Sequence, residues 1–399
     1  MDLTPEQHAQ LTCLAAHPHT PFDGHTAAAA LGIGFDDASE ALDLLTALST
    51  LDRLDHGRWM FTRPEVYEQA RSGLDRDDER AVFGRVLDDY AQRAARHDRV
   101  LNPHRPVLSP HYQHPHPGPA PTRPEALEWF DHRRPTLPEV VDHARRLGLN
   151  SQCWHLAEAM WAWLIHRRHP TTWVRVYETA ARAAHDTGNT ASAVKMARAH
   201  ASGLVVMGDV DQAEDIATDA YEDAVAAGQD AEAASCLETL GSIALDRARP
   251  ALAETFYLHG LAKWDQLDRE RGQIVMRRHL AECYRQLGRP GDALEELGQV
   301  LAWHHHRADE YMVARTRYLI AATHMSAGST SAAEEAAMRA ADHAHQIGAW
   351  EVAGDAYTLL ADLATDSGDA NGTAAHRHHA HRYYRRAESP KARDHPRGS

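Results

Sequence analysis

A pattern of small residues recurs every 40 residues over residues 150–389 of this 399-residue chain. The first set comprises Gly208, Gly288, Gly328 and Gly368, with Ala248 in its one gap. The second set comprises Ala201, Gly241, Ala281, Ala321 and Ala361, and the third Ala213, Ala253, Ala293 and Ala333. Self-similarity at a fixed period of this length is typical of proteins that stack one structural unit on the next. The repeat therefore constrains the fold more strongly than any other feature of the chain.

Each 40-residue unit has the pattern of two helices. In residues 270–309 the apolar side chains follow a helical period, glycine and proline interrupt it at residues 288–292, and the period then resumes. Small residues at the second and third positions would let paired helices approach closely. A single hairpin cannot bury its apolar face alone, so neighbouring units must stack. We predict a mainly all-α fold, an α-solenoid of about six 40-residue helical hairpins.

The pattern resembles the tetratricopeptide repeat (TPR). That family's small position in the first helix matches the second set, and its small position early in the second helix matches the third. The resemblance implies a superhelix in which the first helix of each pair lines a concave groove. The unit at residues 150–189 is looser, because Trp161 and Trp173 occupy its small positions.

The first part of the chain has the order helix, helix, helix, hairpin, which is the order of a winged helix. Two short strands are expected at residues 51–54 and 59–61, around a turn at residues 55–57. We predict a winged-helix-like domain at 1–72, a connecting helix at 73–102, a Pro/His-rich linker at 103–124, a helical lead-in at 125–149, the TPR array at 150–389 and a disordered tail at 390–399.

Charge argues against nucleic acid as the partner of residues 1–72. This segment carries eleven acids and only four arginines. Its third helix, which would enter the major groove, offers Asp36, Asp37, Glu40 and Asp43 and no cation. Helices that bind the groove need cations for the phosphates. We favour a packing or interaction role for this domain and keep DNA binding as an alternative.

The linker at 103–124 is proline-rich, and its composition predicts an extended or disordered segment. Histidines interrupt its prolines, at His104, His111, His114 and His116. Further histidines cluster at His304, His305 and His306 and at His378 and His381. Nothing in either pattern specifies a tetrahedral site, and the chain has 30 histidines in all, so we predict no metal site.

The remaining composition excludes several classes of protein. No apolar run approaches the length of a membrane span, and the first residues lack the pattern of a signal peptide. The four cysteines are far apart and form no CxxC pair, which fits reduced thiols in a cytoplasm. No P-loop, HExxH or nucleophile-elbow motif is present. We therefore predict a cytoplasmic, non-enzymatic protein without a cofactor and without membrane association.

A closer resemblance follows from the order of the segments. Residues 85–106, with Asp-Asp-Tyr and Asn-Pro-His, residues 126–131 (Ala-Leu-Glu-Trp-Phe-Asp) and residues 154–173 resemble the C-terminal half of actinobacterial AfsR-like regulators, which are STAND-class signalling NTPases. The resemblance implies a winged helix that restrains a nucleotide-binding core and a TPR array that senses an inducer. This chain has no phosphate-binding loop, so ATP binding does not carry over.

Two sets of residues are candidates for contact with a partner. The aromatic set comprises Trp154, Trp161, Trp163 and Trp173, for which a contact surface and a tightly packed first repeat are the alternatives. The groove set comprises Lys195, Arg198, Glu238, Arg278, Glu282, Arg285, Arg315, Tyr318, Asp355 and Asp362. Its arginines could bind a carboxylate or an acidic peptide. Alternatively, they form inter-repeat salt bridges to Glu238 and Glu282 on a solvated face.

The sequence thus favours a regulatory adaptor or sensor that binds a protein or peptide in the concave groove of the TPR array. Two alternatives stay open. One is a transcriptional regulator that contacts DNA through residues 1–72, and the other is a sensor of a small-molecule effector.

Overall fold

The computed structural model describes residues 3–103, 105–113, 119–387 and 389–392. The chain divides into two compact units, an N-terminal unit (Met1–Glu232) and a C-terminal unit (Ala233–Ser399). Within the described residues there are 20 α-helices and three short strands. The fold is mainly all-α, and its later helices form TPR-like hairpins in consecutive packed pairs, as the 40-residue period predicts.

The N-terminal unit contains the three strands and most of the irregular structure. Its helices are α1 (Pro5–Leu14), α2 (Gly24–Leu31), α3 (Phe35–Ala47), α4 (Pro64–Arg71), α5 (Arg76–Leu101), α6 (Arg123–Arg133), α7 (Leu137–Arg146), α8 (Asn150–Ala159), α9 (Trp161–Arg167), α10 (Pro170–Asp186), α11 (Thr190–Met207) and α12 (Val210–Ala226). Its strands are β1 (Phe22–Asp23), β2 (Leu51–Leu54) and β3 (Arg58–Phe61). A 3-10 helix spans Pro110–Tyr112.

The boundary between the units falls within α13 (Asp230–Asp246). The C-terminal unit continues with α14 (Pro250–Gln266), α15 (Glu270–Gln286), α16 (Pro290–His306), α17 (Glu310–Ser326), α18 (Thr330–Gln346), α19 (Trp350–Asp366) and α20 (Ala370–Arg386). A 3-10 helix at Pro390–Ala392 follows, in the segment for which the composition predicts disorder. There Lys391 Nζ donates to Asp355 Oδ1 at 2.7 Å. Residues 393–399 lie outside the described residues.

Residues 3–61 form three helices and a small antiparallel sheet. The sheet order is β1-β3-β2, with Phe22 opposite Trp59 and Leu51 opposite Phe61. The order of the three helices and the β2–β3 hairpin is the one that the sequence predicts, whereas the two-residue strand β1 is too short to leave a periodic signal. Apolar side chains of α3, including Leu42 and Leu45, are buried beneath this sheet in the core of the N-terminal unit.

Helix α5 is the central helix of the N-terminal unit. Asp75 caps it by accepting hydrogen bonds from the backbone N–H groups of Asp77 and Asp78. One face, including Phe83 and Tyr90, is fully buried, and the helix contacts α2, α6 and α8. It therefore joins the core of the first three helices to the core of the repeat helices in one apolar cluster.

The first repeat differs from the prediction of one hairpin, because its first helix is broken into α8 and α9 at Met160. The break has an identifiable partner. Asp98, which is fully buried on α5, accepts a hydrogen bond from the backbone N–H of Ala162 at 3.1 Å. The carboxylate satisfies an N–H at the start of α9, where no helical carbonyl can. From α10 onwards the helices follow each other every 20 residues.

The small residues of the repeat lie where paired helices pack closely against each other. Every member of the second and third sets is buried. A Cβ atom at Gly241 on α13 would lie 2.4 Å from Cε1 of Tyr257 on α14, closer than any real contact. The glycine is therefore needed at that position so that the tyrosine ring can lie against the helix backbone.

The turns that end the first helix of each pair share one backbone conformation. One residue in the turn after the helix is left-handed, with φ of +93° at Gly208 and +70° at Gly288. Ala248, which fills the gap in the glycine set, adopts the same conformation at φ +54°. The repeat geometry thus imposes a positive φ even where the residue is not glycine, at a cost that glycine would avoid.

Candidate functional site

The ten groove candidates are divided between the two units. Lys195 and Arg198 lie on α11 in the N-terminal unit. The other eight lie on α13, α15, α17 and α19 in the C-terminal unit.

Lys195 is buried and does not face solvent. Its Nζ donates to Glu158 Oε1 at 2.7 Å and to the backbone oxygen of Pro106 at 2.7 Å. Arg198, one turn further along α11, is half-buried, and its Nε has no hydrogen-bond partner within the described residues. Lys195 is therefore part of the interior, which corrects its assignment to an open groove.

Lys195 belongs to a buried ion cluster, which we define as Asp98, Arg105, Tyr112, Glu158 and Lys195. Arg105 Nη2 donates to Asp98 Oδ2 at 2.7 Å and to the hydroxyl of Tyr112 at 2.9 Å. The hydroxyl of Tyr112 in turn donates to Asp98 Oδ2 at 2.6 Å. Burial by itself would raise the pKa of Glu158, but the cations of Lys195 and Arg105 hold it below its usual range. Two carboxylates and two cations thus neutralise each other away from water.

The buried ion cluster also fixes part of the proline-rich segment. Glu158 Oε2 accepts a hydrogen bond from the backbone N–H of Ser109 at 2.7 Å, and Oε1 accepts one from Leu108 at 2.9 Å. Residues 105–113 therefore follow the surface of α8 in a defined path instead of forming a free linker. His104, His114 and His116 lie outside the described residues.

The four tryptophans of the aromatic set are mostly interior. Trp163 and Trp173 are buried and use their indole N–H groups as donors, to Asp131 Oδ1 and to the backbone oxygen of Ala199, each at 2.8 Å. Trp154 is also buried, whereas Trp161 is half-buried and meets Trp173 edge to face at 5.3 Å. The three buried rings fit the tightly packed first repeat and not the contact surface, because a partner could not reach them.

The eight candidates of the C-terminal unit occupy corresponding positions on successive first helices. We call this set the polar strip: Glu238 of α13, Arg278, Glu282 and Arg285 of α15, Arg315 and Tyr318 of α17, and Asp355 and Asp362 of α19. All eight are half-buried or exposed. Burial raises the pKa of Tyr318, and the charges of Asp355, Arg285 and Arg315 also act on it, so these helices bring their side chains to one place.

Several members of the polar strip are paired within the unit. Arg285 forms a two-pronged contact with Glu282 on its own helix, at 2.9 Å from Nε and 2.5 Å from Nη2. Asp355 accepts hydrogen bonds from the hydroxyl of Tyr384 and from Lys391 Nζ, each at 2.7 Å. For Arg285 the carboxylate partner is thus on the same helix rather than on a neighbouring repeat.

Arg278 and Arg315 differ from Arg285, the other cation of the polar strip. Within the described part of the chain, neither forms an ion pair with a carboxylate closer than 4 Å. Arg278 Nη2 donates instead to the ring nitrogen Nε2 of His279, at 3.0 Å. Burial lowers the pKa of Arg278, and the neighbouring charge of Arg315 lowers it further, against the opposite effect of Glu238. Two guanidinium groups therefore lie near each other, and the negative charge around them does not fully offset their positive charge.

His279 supports this pair of arginines. Its ring stacks on Tyr257, with 5.0 Å between ring centroids and 17° between planes. Its Nε2 lies 3.3 Å from Glu238 Oε1 and also accepts from Arg278. Burial lowers the pKa of His279, and the cation of Arg278 lowers it further, so the imidazole is neutral at pH 7. The groove candidates predicted from the sequence do not include His279, although it lies beside Arg278 on α15, or Tyr257 of α14.

The arrangement suits the binding of an anion more than catalysis. A carboxylate placed between Arg278 and Arg315 would relieve their mutual repulsion and could accept hydrogen bonds from both. Within the described residues there is no group of three or more His, Cys, Asp or Glu side chains positioned to hold a metal ion. In the same residues, every helix is too short or too polar to cross a lipid bilayer.

No protein-family model matches the chain, and no curated protein sequence is significantly similar to it. Among solved structures, 76 chains resemble it. One is aspartyl phosphate phosphatase F from Bacillus subtilis, 11% identical, with a TM-score of 0.49 over 99% of this chain and 93% of that chain. Another is BtubC from P. vanneervenii, 18% identical, with a TM-score of 0.45 over 55% of this chain and 91% of that chain.

A third is a Signal Transduction ATPase with Numerous Domains from Pyrococcus horikoshii, which has a tetratricopeptide repeat sensor. It is 12% identical, with a TM-score of 0.46 over 96% of this chain. The present chain spans 63% of the length of that protein. At these identities and TM-scores, none of the three likenesses identifies a site or an activity in this chain.

Proposed function

We propose that this protein is a regulatory adaptor that binds a protein or peptide partner through the polar strip of its C-terminal unit, without bond-making chemistry of its own. The observation that carries the proposal is the pair Arg278 and Arg315. Both are on first helices of TPR-like hairpins, and neither has a carboxylate partner within the described residues. Two other cations of this region, Arg285 and Lys391, have carboxylate partners already.

The proposed partner presents a carboxylate, from an acidic side chain or from a chain terminus, to the two guanidinium groups. Arginine favours this role because its planar group makes two parallel hydrogen bonds to one carboxylate. The half-buried position of Arg278 strengthens such a contact, since water screens it less than it would a fully exposed pair. Tyr318 and the paired Glu282 and Arg285 would form the polar surroundings of that contact.

We further propose that residues 1–72 form a winged-helix module, as the AfsR-like resemblance implies. The order of α1, β1, α2, α3, β2 and β3 and the antiparallel sheet support this proposal. Binding of DNA by the module is the weaker alternative, because α3 turns acidic side chains to solvent and offers no cation to a phosphate.

The test compares two double variants of the full chain as bait in affinity purification with mass spectrometry. Arg278→Ala with Arg315→Ala removes the proposed contact. Arg182→Ala with Arg339→Ala is the matched control, since both of these arginines are exposed and pair only with a glutamate one turn away. We expect the first variant to lose partners that the wild type and the control retain. If all three baits capture the same partners equally, the polar strip is not the binding site.

A further inference from the structure

Helix α20, the last α-helix of the described residues, carries cations and no carboxylate. Between Ala370 and Arg386 it contains four arginines, four histidines and not one aspartate or glutamate. The unit around it is nearly balanced, since residues 233–399 carry 20 Lys and Arg against 22 Asp and Glu. Positive charge in the C-terminal unit is thus concentrated on this helix.

The cations form two rows on the exposed side of α20, which we call the basic face. Residues four apart in sequence lie above one another on a helix. One row is Arg377, His381 and Arg385, and the other is His378, Arg382 and Arg386. All four arginines are exposed. At 3.6 residues per turn, the two rows cover about half of the helix circumference over a length of about 14 Å.

The arginine side chains of the basic face have no counter-charge in the chain. Within the described residues, none of the four forms an ion pair or donates a hydrogen bond. Two of them stack on aromatic rings instead. The Cζ atom of Arg386 lies 3.8 Å from the ring centroid of Trp350. That of Arg382 lies 5.4 Å from the ring centroid of Tyr383. Stacking holds a guanidinium group in place and leaves its N–H groups able to donate to a ligand.

A structural role accounts for only part of this charge. Cations in the last turn of a helix interact favourably with its dipole, which applies to Arg385 and Arg386. Stacking on an aromatic ring applies to Arg382 and again to Arg386. Neither applies to Arg377, whose counterpart 40 residues earlier, Ala337, is fully buried. The chain therefore exposes a cation where the preceding unit packs an apolar side chain.

The chemistry of the basic face indicates the kind of partner. Interfaces between proteins contain an apolar core, whereas the large apolar side chains of α20, Tyr383 and Tyr384, are buried. A helix that binds a membrane surface likewise turns an apolar side to the lipid. A nucleic-acid duplex requires neither, because cations that contact its phosphates supply the non-specific affinity. We infer that the basic face of α20 is a contact surface for the phosphodiester backbone of double-stranded nucleic acid.

The aromatic rings beside the basic face favour a duplex over a single strand. Proteins bind single strands by stacking the bases on aromatic side chains. Here the rings stack on each other. Tyr383 lies 5.6 Å from Tyr357 and 6.1 Å from Trp350 between ring centroids, with both pairs nearly parallel. Arg386 covers Trp350 in addition. The face therefore offers contacts to phosphates but no platform for a base.

This surface differs from the polar strip and from residues 1–72. The polar strip lies on first helices of the hairpins, whereas α20 is a second helix. The N-terminal unit would repel a duplex, because residues 1–232 carry 35 Asp and Glu against 22 Lys and Arg. The basic face is thus proposed as a second surface with its own partner.

The test measures binding of a labelled DNA duplex of about 20 base pairs to the full chain by fluorescence anisotropy. The other two probes are a glutamate-rich helical peptide and vesicles that contain phosphatidylserine. We expect the duplex to bind with a Kd of about 1–100 µM near 0.15 M salt, and more tightly than either other probe. If four phosphates are contacted, the logarithm of the affinity should fall against the logarithm of the salt concentration with a slope of about −3.6.

A charge-matched pair of variants tests the location of the site. The change Arg377→Gln, Arg382→Gln, Arg385→Gln, Arg386→Gln should weaken duplex binding by tenfold or more and flatten its salt dependence. The control is Arg182→Gln, Arg289→Gln, Arg307→Gln, Arg339→Gln, which alters the net charge equally at four exposed arginines that have carboxylate partners. It should bind the duplex within about threefold of the wild type. Circular dichroism would verify that both variants fold.

A third variant separates this inference from the proposed function. Arg278→Ala with Arg315→Ala, which removes the contact proposed for the polar strip, should leave duplex binding unchanged. Loss of duplex binding in that variant would assign the duplex to the polar strip and overturn the inference. Equal weakening by the control would overturn it too, because binding would then follow net charge alone. So would a wild type that prefers the acidic peptide or the vesicles, or that binds none of the probes.

Discussion

The buried ion cluster of the N-terminal unit and the polar strip of the C-terminal unit both concentrate charged residues on repeat helices, but they differ in how the charges are balanced. In the buried ion cluster, Glu158 and Asp98 meet Lys195 and Arg105 directly, and backbone N–H groups satisfy the remaining carboxylate oxygens. In the polar strip, Arg278 and Arg315 lie near each other without a carboxylate partner in the described residues.

The difference separates a structural role from the proposed binding role. A charge that leaves water must be paired within the folded chain, or folding becomes unfavourable. A half-buried or exposed charge can stay incompletely paired because water solvates it, and a ligand can then supply the missing partner. The balance of charges, rather than their number, therefore distinguishes the two regions.

The largest loss of stability is expected when a charge of the buried ion cluster is removed. Glu158→Gln leaves Lys195 buried without its carboxylate partner and Arg105 with Asp98 alone, which should lower the free energy of unfolding by about 3–5 kcal/mol. Urea denaturation followed by tryptophan fluorescence measures it, because six of the nine tryptophans belong to the N-terminal unit. Glu178→Gln, at a partly exposed pair with Arg182, is the control and should change the value by less than about 1 kcal/mol.

A second large effect is a dependence of stability on pH, which arises in the interior of the N-terminal unit. Burial lowers the pKa of His17 to about 4, against an unfolded value near 6.5. As the pH falls, the unfolded chain binds the proton first, so the stability contributed by neutral His17 is complete above pH 6.5 and is lost toward pH 4. The loss at pH 4 should be about 3 kcal/mol.

His17→Gln isolates this contribution, since glutamine can still donate to the backbone oxygen of Pro18 and contact the hydroxyl of Tyr90. The difference between wild type and variant in unfolding free energy should diminish as the pH is lowered from 7 to 4. A difference that does not depend on pH would show that His17 is not the titrating group.

A smaller effect is expected in the turns of the repeat. Ala248 is left-handed at φ +54°, where glycine carries no steric penalty, so Ala248→Gly should raise stability by about 1 kcal/mol. Ala262→Gly, at an exposed position within α14, should instead lower it by about 1 kcal/mol. Thermal unfolding of the two variants would show opposite shifts. Shifts of the same sign would contradict the strain assigned to Ala248.

The smallest effect on stability is expected in the polar strip. Arg278→Met removes a cation that has no carboxylate partner and keeps the length of the side chain, so the unfolding free energy should change by less than about 1 kcal/mol. Binding of the partner should nevertheless weaken. A destabilisation comparable to that of Glu158→Gln would show that Arg278 has a structural role, and the contrast between the two regions would disappear.

Much of the fold could be predicted from the chain because its signals are local. The 40-residue period, the glycines after the helices and the apolar spacing all act over a few residues, and they place the helices of residues 170–386 close to where the structure has them. The prediction was less complete at residues 150–169, where contact with Asp98, more than 50 residues earlier in the chain, determines the start of α9. A periodic pattern carries no information about such a distant partner.

The candidate site likewise has features that the sequence predicts and features that it does not. Register alone placed Arg278, Arg315 and Asp355 on corresponding faces of first helices. Register could not show that Lys195 is buried against Glu158, nor that Asp355 is already bonded to Lys391, since Glu158 lies in the irregular first unit and Lys391 lies beyond the array. The same holds for Trp163, whose ring is covered by Phe130 of the preceding lead-in.

The sequence by itself determined which residues form helices, where small residues allow these helices to pair, and which net charge the module at residues 1–72 carries. Those properties depend on backbone conformation and composition, which act within a few residues. Only the tertiary structure decided which charges are neutralised within the chain and which lack a carboxylate partner in the described residues, because electrostatic pairing depends on distances of a few ångströms between residues far apart in the chain.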